Sequence, residues 1–389
     1  MPAYPVTIYK PARCYHGYTL FAHTYEDAST GRDGVAPIYL IDMEGKPVHR
    51  WTATTAVQLT ELLPDGTLVY ATRDRSDLNT AGVYRLAPDS TVIGSYHCRF
   101  DHDFHVMDNG HLMIHCLIDR VTSPLGKELR RNPTIIEIDR VTRDLVWTWH
   151  GEEHVEDLAA LFDLSALLDP ERRARQVMRE QLAWNPRVQQ ASGEERAAMV
   201  AREAAQFAFD WAHNNTCEVL AENEAATRDD RFRSGNILFS YRSLDVIGVI
   251  DRETGEIVWA WGPGTLDGQH QPTMLANGHI LLYDNGTRRG YSRVLEVDPL
   301  TGEIVWDYTA DPRSSFFSPF ISGAERLPNG NTFICEGSAA GDSRRPRLFE
   351  VTPEGEIVWE YLSPYADPGT YGIYRAQRYG EEEVAALLG

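Results

Sequence analysis

Short runs in which apolar and polar residues alternate recur along most of the chain, and alternation with period two is the mark of a half-buried β-strand. Three of these runs close almost identically: TGEIVW to Trp259, TGEIVW to Trp306 and EGEIVW to Trp359. Each follows an alternating strand, GVIDRE, VLEVDP or LFEVTP. Looser copies are YLIDMEGKPVHRW to Trp51, YRLAPDSTVIGSY to Tyr96 and IIEIDRVTRDLVW to Trp147. The six closures stand 45, 51, 112, 47 and 53 residues apart. A period of about 40–50 residues is that of one propeller blade, and the long interval holds one insertion.

A second pattern alternates with the first. Apolar runs flank a tight turn in ELLPDGTLVYA around Gly66, VMDNGHLMIHC around Gly110, MLANGHILLYD around Gly278 and RLPNGNTFICE around Gly330, with SGNILFSYR around Gly235. Asp-Gly or Asn-Gly between such runs predicts a hairpin with a type I′ turn, whose two central residues both need positive φ. Each unit then supplies four short strands, one blade. The pattern predicts an all-β, six-bladed β-propeller as a single domain over residues 1–389. The recurrent tryptophan is expected to pack between blades, since large aromatics dominate sheet-on-sheet packing.

The period changes once. Residues 152–209 carry EDLAALFDLSALLDPERRARQVMREQLAW and GEERAAMVAREAAQFAF, with helical spacing, strong helix formers and Pro170 suited to a helix start. A helical insertion of this size is expected to serve as a cap, a lid or an oligomer contact.

Aligning the second pattern on its glycine exposes a chemical regularity. Eight residues before Gly110 is His102 and eight before Gly278 is His270; the same slot holds Gln58 before Gly66 and Ser322 before Gly330. In DWAHNNTCEVL, His213 takes the matching place, displaced from Gly235 by a polar loop. The slot opens the innermost strand of a blade, where residues of different blades face one channel. Converging imidazoles are how reactive sites are built, whereas a lone channel histidine is usually solvated and idle. Arg242, in NILFSYRSLD, is read on the strand after His213, where its fork suits a sulfuryl, phosphoryl or carboxylate group. His105 is expected beside His102, on the opposite strand face if the pleat is regular.

Composition narrows the field. A net charge of −20 disfavours nucleic acid and anionic membrane as partners. No apolar run is long enough for a transmembrane helix. The first residues lack the pattern of a secretory signal. Five scattered cysteines with no CxxC pair argue against a disulfide framework or a zinc site, and reduced thiols fit a cytoplasmic setting. Nothing in the pattern sets the oligomeric state.

The chain resembles the arylsulfotransferase family of six-bladed propellers. The resemblance rests on DWAHNN, GNILFSYRSLDVIGVIDRETGEIVWAWG, GQHQPTMLANGHILLYDNG with SRVLEVD, SGAERLPNGNTFICEG with RLFEVTPEGEIVWEY, and the terminal YRAQRY. It implies transfer of a sulfuryl group from an aryl sulfate to a phenol through a histidine intermediate. On that resemblance His270 is the nucleophile, His213, His102 and Arg242 hold the sulfuryl oxygens, one of the histidines protonates the leaving phenoxide, and Asn215 orients a neighbour or donates to the substrate; His105 and Gln269 are further expected to bind substrate. No cofactor is implied. Well-known members carry an N-terminal sandwich domain and a disulfide that this chain does not match, and it adds the helical insertion.

Other chemistries fit the same residues. A histidine base with Arg242 and a tyrosine acid suits a lyase acting on a uronate saccharide. His102, His213 and His270 at one level could ligate a metal. The histidines could also line a wet channel in a binding propeller, and Trp-terminated blades occur in quinoproteins as well.

Overall fold

A computed structural model describes residues 5–25, 36–73, 79–121, 125–338, 345–364 and 370–389. Among them are six antiparallel sheets, five of four strands and one of five. They are the blades of an all-β, six-bladed propeller.

The chain divides into two compact units, residues 1–102 with 321–389, and residues 103–320. In the first, the C-terminal strand Thr370–Tyr379 pairs with Tyr18–Tyr25, which continues into Ala36–Ile41 and Pro47–Ala53. Leu59–Leu62 opens the next sheet and Gly323–Arg326 the third, to which Val6–Tyr9 adds an outer edge. In the second unit, Asn214–Val219 opens one sheet and His270–Met274 another. The remaining sheet begins on Phe100–Val106, the strand in which the division falls.

The hairpin turns differ in detail from the type I′ expectation. Gly66, Gly110, Gly278 and Gly330 have φ of 79° to 87°, but the Asp or Asn before each does not enter the left-handed region. In each, the glycine N–H closes a four-residue turn, as from Gly66 to Leu63 O at 2.9 Å. This is a type I turn followed by a left-handed glycine, a G1 bulge, which needs positive φ at one position only.

The tryptophans that close the repeats are not equivalent. Trp51 and Trp359 are fully buried, and Trp359 Nε1 donates to Met43 O of the neighbouring blade at 2.8 Å. Trp147 and Trp306 are only half-buried.

The insertion comprises α1 (Val155–Leu161), α2 (Leu164–Leu168), α3 (Pro170–Trp184), α4 (Pro186–Gln190) and α5 (Gly193–Phe209). Side chains of Asp163, Asp169, Asn185 and Ser192 cap four of these helices by accepting a first-turn N–H. Val155, Leu158, Leu164 and Leu167 enter the same core as Trp149, Tyr241 and Leu244 of the blades. After α5, Trp211 Nε1 donates to Asn132 Oδ1 at 2.9 Å, and Arg131 lies 4.9 Å from the ring centre of Phe209. The insertion is therefore docked on its own unit by apolar and polar contacts at both ends.

Candidate active site

The inner strands of the second unit start with an irregularity that aims their side chains. His213 and Gln271 have φ of 48° and 47°, and the strand register shifts just after, between Asn214 and Cys217 and between His270 and Thr273. A left-handed conformation costs an ordinary residue roughly 1–2 kcal/mol, and strain of this kind gathers at functional positions. A bulge at a strand start re-aims the residues around it. In the first unit His102 and Ser322 also have positive φ, 68° and 84°, so the glycine-aligned slot is a recurrent backbone feature.

His270 is buried, and its Nδ1 lies 2.7 Å from Asn285 Oδ1. Asn285 Nδ2 donates to Ser318 O at 2.7 Å, which fixes the amide with its oxygen toward the imidazole. That oxygen can only accept, so neutral His270 carries its proton on Nδ1 and its lone pair on Nε2. His213 is oriented differently: its Nδ1 lies 2.8 Å from Asp210 Oδ2, a carboxylate buried three residues earlier. This Asp–His pair suits an imidazole that takes up and returns a proton.

Hydrogen bonds stitch these groups together. Asn215 Nδ2 donates to Gln269 O at 2.8 Å, tying the His213 strand to the residue before His270. The Gln269 carboxamide donates to Ser240 Oγ and Val246 O, both at 3.0 Å. Arg242 N donates to His213 O at 3.2 Å. The strand ends at Tyr241, so Arg242 opens a 3-10 turn instead of lying within the strand. Its Nη2 donates to Glu180 Oε1 of α3 at 2.7 Å and lies 3.5 Å from Pro319 O, next to the Ser318 that holds Asn285. Among the described residues only Nη2 of this guanidinium is engaged in hydrogen bonds.

The insertion closes over Arg242. Arg173, Gln176, Val177 and Glu180 of α3 face Arg242 and Gly268 across a polar chamber of about 10 Å³, room for roughly one water. Gly268 has φ of 75°, and a Cβ there would sit 2.9 Å from Thr287 Oγ1, so the turn into His270 needs glycine. Arg288 bridges Asp245 and Asp267 beside the chamber, at 2.7 and 2.9 Å. Burial pushes the Asp245 carboxyl above its ordinary range, with the Arg288 cation opposing. Burial also pushes Arg173 down to about 10, against the pull of Asp245 and Glu180.

The other expected residues have surroundings of their own. His105 is half-buried on Phe100–Val106, and burial lowers its pKa against the opposing pull of Asp103 and Asp108. His102 falls in the first unit, where Asp101 holds Nδ1 and Arg73 Nη1 lies 3.2 Å from Nε2. A guanidinium can only donate, so Nε2 of His102 accepts and Nδ1–H points to Asp101. Both ring nitrogens of His102 are thus engaged within that unit. Asn215 and Gln269 are fully buried and direct their amide N–H groups to the scaffold.

Sequence reading missed Asn285, Asp210, Glu180 and Arg173. The last two had a signal: residues 173, 176, 177 and 180 follow the i, i+3, i+4, i+7 spacing of one helix face, and that face carries two charges. Asn285 lies only fifteen residues from His270, yet nothing in the hairpin pattern singles it out.

Residues 65–363 match the family described as Arylsulfotransferase (ASST). No curated protein matches the sequence. Among solved structures, the chain is similar to a protein of unknown function from Bacteroides caccae, with TM-score 0.56 and 12% identity over 94% of this chain and 100% of that one. It is also similar to TolB from Acinetobacter baumannii, with TM-score 0.48 and 12% identity over 94% of this chain and 67% of that one. A third, the Dos1 propeller, has TM-score 0.40 and 9% identity over 94% and 78%. At these identities the likeness is one of fold.

Proposed function

The chain belongs to the arylsulfotransferase (ASST) family, and on that premise we propose that it transfers a sulfuryl group between phenolic compounds through His270. The observation that carries the reading is the Ser318–Asn285–His270 relay, which assigns the imidazole lone pair to Nε2. Neutral imidazole is a good nucleophile near neutral pH, and a covalent intermediate divides one hard transfer into two easier ones.

In the first half-reaction the Nε2 lone pair of His270 attacks the sulfur of an aryl sulfate. The N–S bond forms, the S–O bond to the ring breaks, and its electron pair leaves on the phenolate oxygen. His213, backed by Asp210, delivers the proton that the phenolate takes up. In the second half-reaction His213 accepts the proton of an incoming phenol, whose oxygen attacks sulfur and returns the electron pair of the N–S bond to His270. Arg242 holds the sulfuryl oxygens with the N–H groups that Glu180 does not occupy; fixed donors of this kind stabilise spread negative charge in a water-poor site.

The test is phenol release from a chromogenic aryl sulfate with a second phenol as acceptor. Wild type is expected to make sulfated acceptor in step with released phenol, and His270→Ala to lose at least about a hundredfold of that rate. Unchanged turnover in His270→Ala, with the acceptor unsulfated, would overturn the reading.

A further inference from the structure

The same four residues, Glu-Ile-Val-Trp, stand at the start of the outer strand in three blades, and added chain covers two of them. Val6–Tyr9 pairs antiparallel along Ile357–Leu362, with Lys10 N donating to Val358 O at 2.8 Å and Leu362 N to Pro5 O at 2.9 Å. Side chains follow the main chain: Thr7 Oγ1 donates to Glu360, and Lys10 Nζ pairs with Glu356 at 2.6 Å. On Ile257–Trp261 the cover is α1, where Asp157 Oδ2 accepts from Ile257 N at 3.2 Å and Val155 and Leu158 share a core with Ile257.

Among the described residues no strand pairs with the outer edge of the third copy, Glu303–Tyr308. Ile304 and Val305 are 39% and 48% exposed, whereas Val358, the counterpart of Val305, is fully buried. The two edges agree further along, EIVWDY against EIVWEY, so Asp307 stands where Glu360 does. An exposed apolar edge is a template for another strand, and proteins usually blunt it with lysine, proline or a cover. This edge carries two exposed acids instead, Glu303 and Asp307. Two other outer strands expose apolar pairs, Val92–His97 and Leu145–His150, but they hold His97 and Thr148 at the place of Asp307. Like charges brought together across a strand pair are destabilising, so pairing of this edge with a second copy is disfavoured, the more so at a net charge of −20 per chain.

We propose that the outer edge of Glu303–Tyr308 docks an extended segment of a partner protein, one with the pattern of Val6–Lys10: β-branched and aromatic residues along the strand and a basic residue after it. Main-chain hydrogen bonds add the segment to the sheet, and the side chains select it. Its apolar residues cover Ile304 and Val305, a hydroxyl or amide donates to Asp307 as Thr7 does to Glu360, and its basic residue meets Glu303 as Lys10 meets Glu356. Docking there calls on no residue of the proposed reaction.

The probe is an acetylated peptide of residues 5–13, PVTIYKPAR, titrated into the full chain and read by hydrogen exchange. It is expected to slow exchange in Glu303–Tyr308 and to leave Ile357–Leu362, already paired within the chain, unchanged. Asp307 corresponds to Glu360, two residues before the Leu362 whose N–H faces the added strand. Asp307→Pro therefore removes an outward donor and spares the ladder to Arg293–Asp298. It is expected to weaken peptide binding about fivefold or more. Glu303→Lys, a change at an exposed position, is expected to weaken it about threefold. Unslowed exchange at residues 303–308 in wild type, or wild-type affinity in either folded variant, would overturn the proposal. So would a dimer of the wild type without peptide, seen by sedimentation and lost in Asp307→Pro, since a second copy would then be the occupant.

Discussion

An imidazole has two nitrogens, and its use depends on which one a neighbour occupies. Asn285 gives His270 one direction, Asp210 gives His213 another, and Arg73 with Asp101 engages both nitrogens of His102. Asn285→Ala should therefore lower kcat by up to about a hundredfold while moving KM little, because the substrate still binds but the nucleophile is misaligned. An equal loss in a folded variant carried by KM alone would show a binding role instead. His105 makes a pH prediction. Burial lowers its folded pKa below the ordinary 6.5, so the unfolded chain takes up the proton first. Its contribution to stability is full above about pH 6.5 and is lost as pH falls below that value. The drop in unfolding midpoint between pH 7 and pH 5 should be smaller in His105→Gln than in wild type. The places of His213 and His270 at the start of inner strands were legible in the sequence because they occupy a periodic slot. Asp210 and Asn285 act through single hydrogen bonds that leave no period, and so were not.

At the scale of elements, α3 is the part that meets Arg242. Glu180 forms with Arg242 an ion pair whose two side chains are each about nine-tenths buried. Glu180→Ala should lower the KM for an aryl sulfate by releasing Arg242, and lower stability by about 3–5 kcal/mol, the cost of leaving one buried charge uncompensated. A raised KM would show that Glu180 binds substrate instead of excluding it. The helices themselves were readable from their period and from Pro170, to within a few residues of the expected 152–209. Their docking was not, because Trp211 and Asn132 meet across 79 residues of sequence. The hairpins were readable as hairpins, but their turn type was not, since Asn-Gly serves both a type I′ turn and a type I turn with a bulge.

For the molecule as a whole, the repeat was the clearest sequence signal, and the six sheets follow it blade by blade. The closing strand was visible only as YRAQRY. Thr370–Tyr379 pairs with Tyr18–Tyr25, and Arg378 Nε donates to Thr19 Oγ1 at 2.9 Å while its guanidinium faces Glu350 at 3.6 Å. A chain ending at residue 369 should lose hydrogen-exchange protection throughout Ala36–Ala53, and retained protection there would show that the sheet stands without its inner strand. The proposed transfer depends on a narrower point, a bond between His270 Nε2 and sulfur. Rapid acid-free quenching with a chromogenic aryl sulfate and no acceptor, followed by peptide mass spectrometry, measures it directly. One sulfuryl group on His270, discharged when a phenol is added, is the expected result. A sulfuryl group on another residue, or turnover with no labelled peptide in the burst phase, would contradict it.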